Sequence, residues 1–215
     1  MANLDKGKSL FEQQQFNEAI KELSAFLSLQ NNNADALYTR AICYRKIGEF
    51  EKSIDDFTAI LKRLPNEPSL LSERGVSHFH NKNIKAAMKD MDKAVELDPK
   101  KPYRYSSRAY IRANIDIEGA IEDYKKAIEL DPNDDIVYNN LALLEENAGR
   151  MSSAKNHFDA ANKIIGYEPK KETNKKNLTD KPDTSIGKVM WKVFTSKNTR
   201  KEYFNFLKSF FKNDK

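Results

Sequence analysis

A single cysteine, Cys43, in 215 residues rules out an intrachain disulfide framework and a thiolate zinc cluster, and it suits a reducing compartment. Set between Ile42 and Tyr44 in a helix-like stretch, it reads as a small core residue. Histidine is almost as scarce: His78, His80 and His157 are the whole supply. His78 and His80 stand two residues apart, which turns them to different faces of a helix. They cannot close on one metal ion, and neither metal nor cofactor is expected. The seven glycines form no phosphate-cradling loop, and no serine nucleophile elbow occurs. No apolar run reaches the roughly 18–20 residues that cross a bilayer. The opening MANLDKGKSL has no apolar core with a cleavage site. The expectation is a non-enzymatic, cytoplasmic protein. On a cytoplasmic route the sequon Asn177-Leu178-Thr179 has no meaning.

Charge is unevenly spread. Residues 167–215 hold 13 Lys/Arg and 6 Asp/Glu, a net +7, whereas residues 1–166 hold 24 and 26, a net −2. The basic pI therefore belongs to the last fifty or so residues.

What is present in abundance is periodicity. EGAIEDYKKAIELDP, ending at Pro132, places Ala120, Ile121, Tyr124, Ala127 and Ile128 on one helical stripe. Related segments end at Asn31, Pro65, Pro99 and Gly166, so the spacings are 34, 34, 33 and 34 residues. A constant period of this size marks a stacked array of helical hairpins. Each terminating helix is preceded by another, with turns at Gly48-Glu49, Lys82-Asn83 and Gly149; the fourth unit lacks one residue at its turn. Small residues recur in the first helices (Gly7, Ala41, Gly75, Ala109, Ala142) and in the second (Ala19, Ser53, Ala87, Ala120, Ala154). Beside them stand the fillers Leu23, Phe57, Met91, Tyr124 and Phe158. Small side chains let two helices approach, and large ones fill the gaps alongside.

This pattern resembles the tetratricopeptide repeat (TPR) family over residues 1–166. Repeats are expected at about 1–33, 34–67, 68–101, 102–134 and 135–166, followed by a polar linker at 167–187 and an amphipathic segment at 188–215. The resemblance implies an all-α, right-handed superhelical solenoid. The chain departs from the family where a leucine is usual, carrying Arg40, Arg74 and Arg108, with Asp56, Asp90 and Asp123 following 16, 16 and 15 residues later. Arginine and aspartate repeating in step predicts structural ion pairs, since an arginine beside a core needs a carboxylate. The alternative is an arginine row that grips an acidic ligand.

The resemblance further implies that the first helices line a concave groove. Its columns contain Leu4, Asp5, Lys8 and Phe11, then Tyr38, Thr39, Ile42 and Arg45. The third unit supplies Ser72, Glu73, Val76, Phe79 and His80. The fourth and fifth add Tyr103, Ser107, Tyr110 and Asn114, then Asn139, Asn140, Leu143 and Asn147. Aromatic rings beside amides suit a bound peptide, although some of these rings could equally pack between neighbouring helices. The family's clamp for chaperone tails needs lysines, arginine and asparagines in set columns. Here those columns read Leu4, Lys8, Thr39, Ser69 and Glu73, and neither shifted register restores them. Chaperone-tail binding is not expected.

In the terminal segment Trp191, Phe194, Tyr203, Phe204, Leu207, Phe210 and Phe211 form an apolar docking face opposite lysines. Burying five such side chains contributes on the order of 8–15 kcal/mol, against about 1 kcal/mol for each lysine near an anionic leaflet. The face is therefore expected to be covered by the chain's own solenoid, by a partner protein, or by an anionic membrane. Nucleic acid is not expected. The functional expectation is an adaptor that holds a partner's peptide or helix in the groove, with a peripheral membrane tether or assembly factor as the alternative.

Overall fold

The structure is a computed structural model and describes residues 3–168. The chain divides into two units, Met1–Pro169 and Lys170–Lys215, and the described helices belong to the first. The expected docking face from Trp191 to Phe211 lies outside the described residues.

Among the described residues ten α-helices follow one another: α1 Leu4–Glu12, α2 Phe16–Leu29, α3 Ala34–Lys46, α4 Phe50–Leu61 and α5 Pro68–His80 come first. After them run α6 Ile84–Leu97, α7 Pro102–Arg112, α8 Ile117–Leu130, α9 Asp135–Asn147 and α10 Met151–Ile164. No strand occurs among the described residues. Odd and even helices pair as hairpins, and each even helix packs on the odd helix that follows it. This is the one-dimensional arrangement of a solenoid, in which a repeat touches its neighbours alone.

The small-residue columns explain the close pairing. Ala19, Ala41, Ala87, Ala109, Ala120 and Ala142 have no exposed surface. A Cβ at Gly7 would lie 2.6 Å from Leu23 Cδ2, so glycine is what lets α1 seat on α2. Leu23, Phe57, Met91 and Tyr124 are buried beside these contacts, while Phe158 in the last hairpin is half-buried.

Turn chemistry differs from the glycine pattern in the sequence. Four hairpin turns hold one residue in the left-handed region: Gln14, Gly48, Lys82 and Gly149, at φ 59°, 86°, 63° and 77°. In each, the N–H two residues past the C-cap donates to a carbonyl five residues back, as Glu49 does to Tyr44 at 2.9 Å and Asn83 to His78 at 2.9 Å. That closes the last turn of the helix. The fourth turn, expected to lack a residue, instead has four (113–116) against three in the others, because α7 ends early; it has no left-handed residue, and the Asp116 N–H reaches the Arg112 carbonyl at 2.8 Å instead. Lys82 bears a Cβ penalty in this conformation that glycine would not. Lys82→Gly is therefore expected to raise stability by about 0.5–1 kcal/mol, read as a higher urea midpoint at unchanged slope.

Candidate peptide groove

First helices approach one another, α1 with α3 and α5 with α7, and so share one inner surface. Tyr38 on α3 illustrates the convergence. Burial raises the pKa of its hydroxyl, the Glu73 carboxylate on α5 and Tyr103 on α7 add to the rise, and Arg45 opposes it. Three consecutive first helices thus face a common space.

The two groove cations of the first three repeats, Lys8 and Arg45, are each matched to a carboxylate. Lys8 Nζ donates to Asp35 Oδ2 at 2.8 Å. Arg45 Nη2 donates to Glu73 Oε2 at 2.6 Å, and its Nη1 donates to the Glu73 carbonyl at 3.0 Å. Arg45, expected to meet a ligand, instead links α3 to α5. Farther along, the surface carries hydroxyls, amides and rings. Val76 and Phe79 of α5, Ser107, Tyr110 and Ile111 of α7, and Asn140 of α9 line a cavity of about 220 Å³. Phe79 meets Tyr110 edge-on, with ring centroids 5.6 Å apart at 73°. Tyr110 keeps 59% of its surface exposed, Tyr103 45% and Leu143 48%.

Other expected groove residues are placed differently. Thr39 and Ile42 are buried, and the Thr39 hydroxyl donates to the Asp35 carbonyl at 2.8 Å. Helix α3 buries Ala36, Leu37, Ala41 and Cys43 as well, so only a narrow strip holding Tyr38 and Arg45 is left for the inner surface. Phe11 is half-buried, meets Phe16 at 6.1 Å and packs against the core cluster. His80 lies in the lining of the cavity but stacks on Phe50 at 5.4 Å, and burial lowers its pKa. Asn139 and Asn140 are half-buried.

The arginine column is engaged within the fold. Arg40 donates from Nε and Nη2 to the two carboxylate oxygens of Asp56 at 2.8 and 2.7 Å. Arg74 does the same to Asp90 at 2.8 and 2.8 Å, and Arg108 to Asp123 at 2.9 and 2.6 Å. Burial raises the Asp56 carboxyl and Arg40 opposes that rise, while Asp56 in turn raises Arg40. With two short charge-assisted bonds the pair is ionised at neutral pH. The third nitrogen, Nη1, reaches back to the preceding repeat: Arg40 to Ser24 at 3.0 Å, Arg74 to Thr58 at 3.2 Å, Arg108 to Asp92 at 3.0 Å. Each guanidinium therefore joins three helices in two repeats.

Sequence reasoning missed those third partners, although Ser24, Thr58 and Asp92 recur every 34 residues. It also missed that Lys6 and Glu22, one period before Arg40 and Asp56, form the same pair at 2.9 Å near the surface. In the fifth repeat the arrangement inverts. Leu141 stands in the arginine column, and buried Glu145 accepts from Ser153 at 2.8 Å and meets His157 Nδ1 at 2.6 Å. Burial pushes the Cys43 thiol up to about 11, which leaves it without reactive thiolate at neutral pH. Among the described residues no group of three or more metal-ligating side chains gathers, and no helix is long and apolar enough to cross a membrane.

Family models for the tetratricopeptide repeat match residues 4–68, 44–102 and 116–149. The chain belongs to the tetratricopeptide repeat family. Such TPR arrays mediate protein–protein contacts and are typically non-catalytic. A tetratricopeptide repeat protein 34 from Xenopus laevis is 35% identical over 98 residues, which is 43% of this chain and 17% of that protein. An Hsp70-Hsp90 organizing protein 3 from Arabidopsis thaliana is 28% identical over 96 residues, 45% of this chain and 17% of that one. The matches thus cover less than a fifth of either curated relative. Among solved structures, a tetratricopeptide repeat protein from Parabacteroides merdae superposes with a TM-score of 0.68 at 24% identity, covering 77% of this chain and 64% of its own. YrrB, described as a TPR protein with an unusual peptide-binding site, gives 0.58 at 18% identity, with 76% and 84% covered. At these identities the structural likenesses establish the TPR fold.

Proposed function

We propose that this TPR array is an adaptor whose inner surface holds an extended peptide or a helix of another protein. The cavity shared by α5, α7 and α9 supports this reading most strongly: about 220 Å³ walled by Phe79, Tyr110 and Ile111, with Ser107 and Asn140 at its rim. That volume accepts one aliphatic or aromatic side chain, and the rim groups can meet the peptide backbone. YrrB carries its peptide site on the same fold. The groove cations Lys8 and Arg45 are already matched to Asp35 and Glu73, so the ligand that fits is an uncharged segment with an apolar anchor. A chaperone tail, with its terminal carboxylates, finds Lys8 and Arg45, the two groove cations among the described columns, already committed, even though a chaperone-organizing protein is among the relatives.

Selection from a displayed random-peptide library tests the proposal. Selected peptides should be uncharged and apolar at one position, and Tyr110→Ala should weaken them about tenfold or more while leaving the helical signal intact. Acidic-ended peptides as winners, or winners indifferent to Tyr110→Ala, would overturn it.

A further inference from the structure

A second depression lies on the outer layer, away from the inner groove. It is a trough of about 1010 Å³ that follows α6 from Asn83 to Glu96 and ends at Ile115 in the fourth turn. Its apolar floor is made by Ile84 and Met88, one helical turn apart, and by Ile115, which is 61% exposed. Along its side run Lys85, Lys89 and Lys93, spaced four residues apart and so on one face of the helix. None of these lysines has a carboxylate within salt-bridge distance among the described residues. Of the two carboxylates in the trough, Asp92 is taken by Arg108 at 3.0 Å, leaving Glu96.

The lysine file is particular to the third repeat. Its columns hold Glu51, Asp55 and Ala59 in the second repeat, and Glu118, Glu122 and Lys126 in the fourth. Glu118 is bridged to Arg150 in the next hairpin. A solvated face with no partner would have no reason to reverse sign at two successive columns in one repeat while keeping an apolar floor beside them.

We infer that this trough is an interaction surface for an acidic amphipathic helix of a partner protein. The 14 residues of α6 set a length of about 20 Å. A partner helix of roughly four turns would lay its apolar stripe on Ile84, Met88 and Ile115 and bring glutamates or aspartates to Lys85, Lys89 and Lys93. The trough is shallow and holds its side chains in a row, with Glu96 beyond the lysine file. An anionic bilayer laid along the file would meet the Glu96 carboxylate, whereas a helix can set a cation or a neutral residue against it.

The test uses the full chain and a synthetic helix of about 18 residues with glutamate on one face and leucine on the other. A counterpart carries lysine in place of each glutamate. Fluorescence anisotropy should detect binding of the acidic helix alone, weakening as salt rises from about 50 to 500 mM. Ile115→Glu, and separately the charge reversals Lys85→Glu and Lys89→Glu, should each weaken it about tenfold or more. Tyr110→Ala in the groove should leave it unchanged. Circular dichroism on every variant separates lost binding from lost fold, and Lys85→Ala/Lys89→Ala provides a milder second pair. Equal binding of the two helices, indifference to Ile115→Glu, or uptake by phosphatidylserine vesicles with no binding of the peptide would overturn the inference.

Discussion

Truncating Phe57 to alanine is expected to cost about 3–5 kcal/mol, the range for removing a buried aromatic ring. Phe57 has no exposed surface, sits among Ile60, Leu61 and the first-helix residues of its own repeat, and meets the Tyr38 ring edge-on at 5.7 Å and 77°. The consequence reaches past the second repeat. In a stacked array each repeat is held by its two neighbours, so a weakened second hairpin uncouples the first from the remaining three. Urea unfolding followed by circular dichroism should show a lower midpoint and a broader or split transition. Tyr110→Ala, which removes an exposed ring, should stay within about 0.5 kcal/mol of the parent.

Arg40→Ala is expected to cost about 3 kcal/mol, the lower end for breaking a buried pair, because the arginine side chain keeps 19% of its surface exposed. The loss is compound: two bonds to Asp56, one to Ser24, and the contact of the guanidinium with the Tyr44 ring at 5.6 Å. Asp56, whose side chain is 8% exposed, is left as a buried carboxylate with no cation against it. Burial already raises its pKa, and Arg40 opposes that rise; in the variant the opposition is gone. A carboxyl whose folded pKa lies above its unfolded value binds more protons folded than unfolded between the two, so stability falls as pH rises through that window. The deficit of Arg40→Ala should therefore be largest at neutral pH and shrink on acidification. Arg40→Ala/Asp56→Ala should be less destabilised than the sum of its parts. A deficit that is flat between pH 7 and 4 would mean the pair contributes through packing alone.

Much of this architecture is legible because hairpin stacking imposes chemistry at a fixed interval. Ala41, Ala109 and Ala142 must be small where two helices touch, and arginine must find a carboxylate where a guanidinium enters a core. Both demands leave periodic marks. The left-handed turn residues leave none when strain is tolerated, which is why Gln14 passes unnoticed and why Lys82, placed in a turn by its position, shows no mark of its φ beside Gly48 and Gly149. Groove membership was the least legible feature. Counting columns places Thr39 and Ile42 on the inner surface, yet α3 is apolar around most of its circumference and is packed from both sides, so both are buried. Arg45 has the chemistry of a ligand contact, and only its distance to Glu73 reveals that α5 already occupies it. The exchange of an arginine–aspartate pair for Glu145 with His157 escaped for a similar reason, since partners in different columns have no common period.

Amide hydrogen exchange on the full chain, with and without a library-selected peptide, bears most directly on which face of the array is used. Slowed exchange should concentrate in α5, α7 and α9, around Phe79, Tyr110 and Asn140, and leave the outer helices α6, α8 and α10 at their unliganded rates. Protection confined to the outer helices, or spread evenly along all ten, would contradict an inner binding surface.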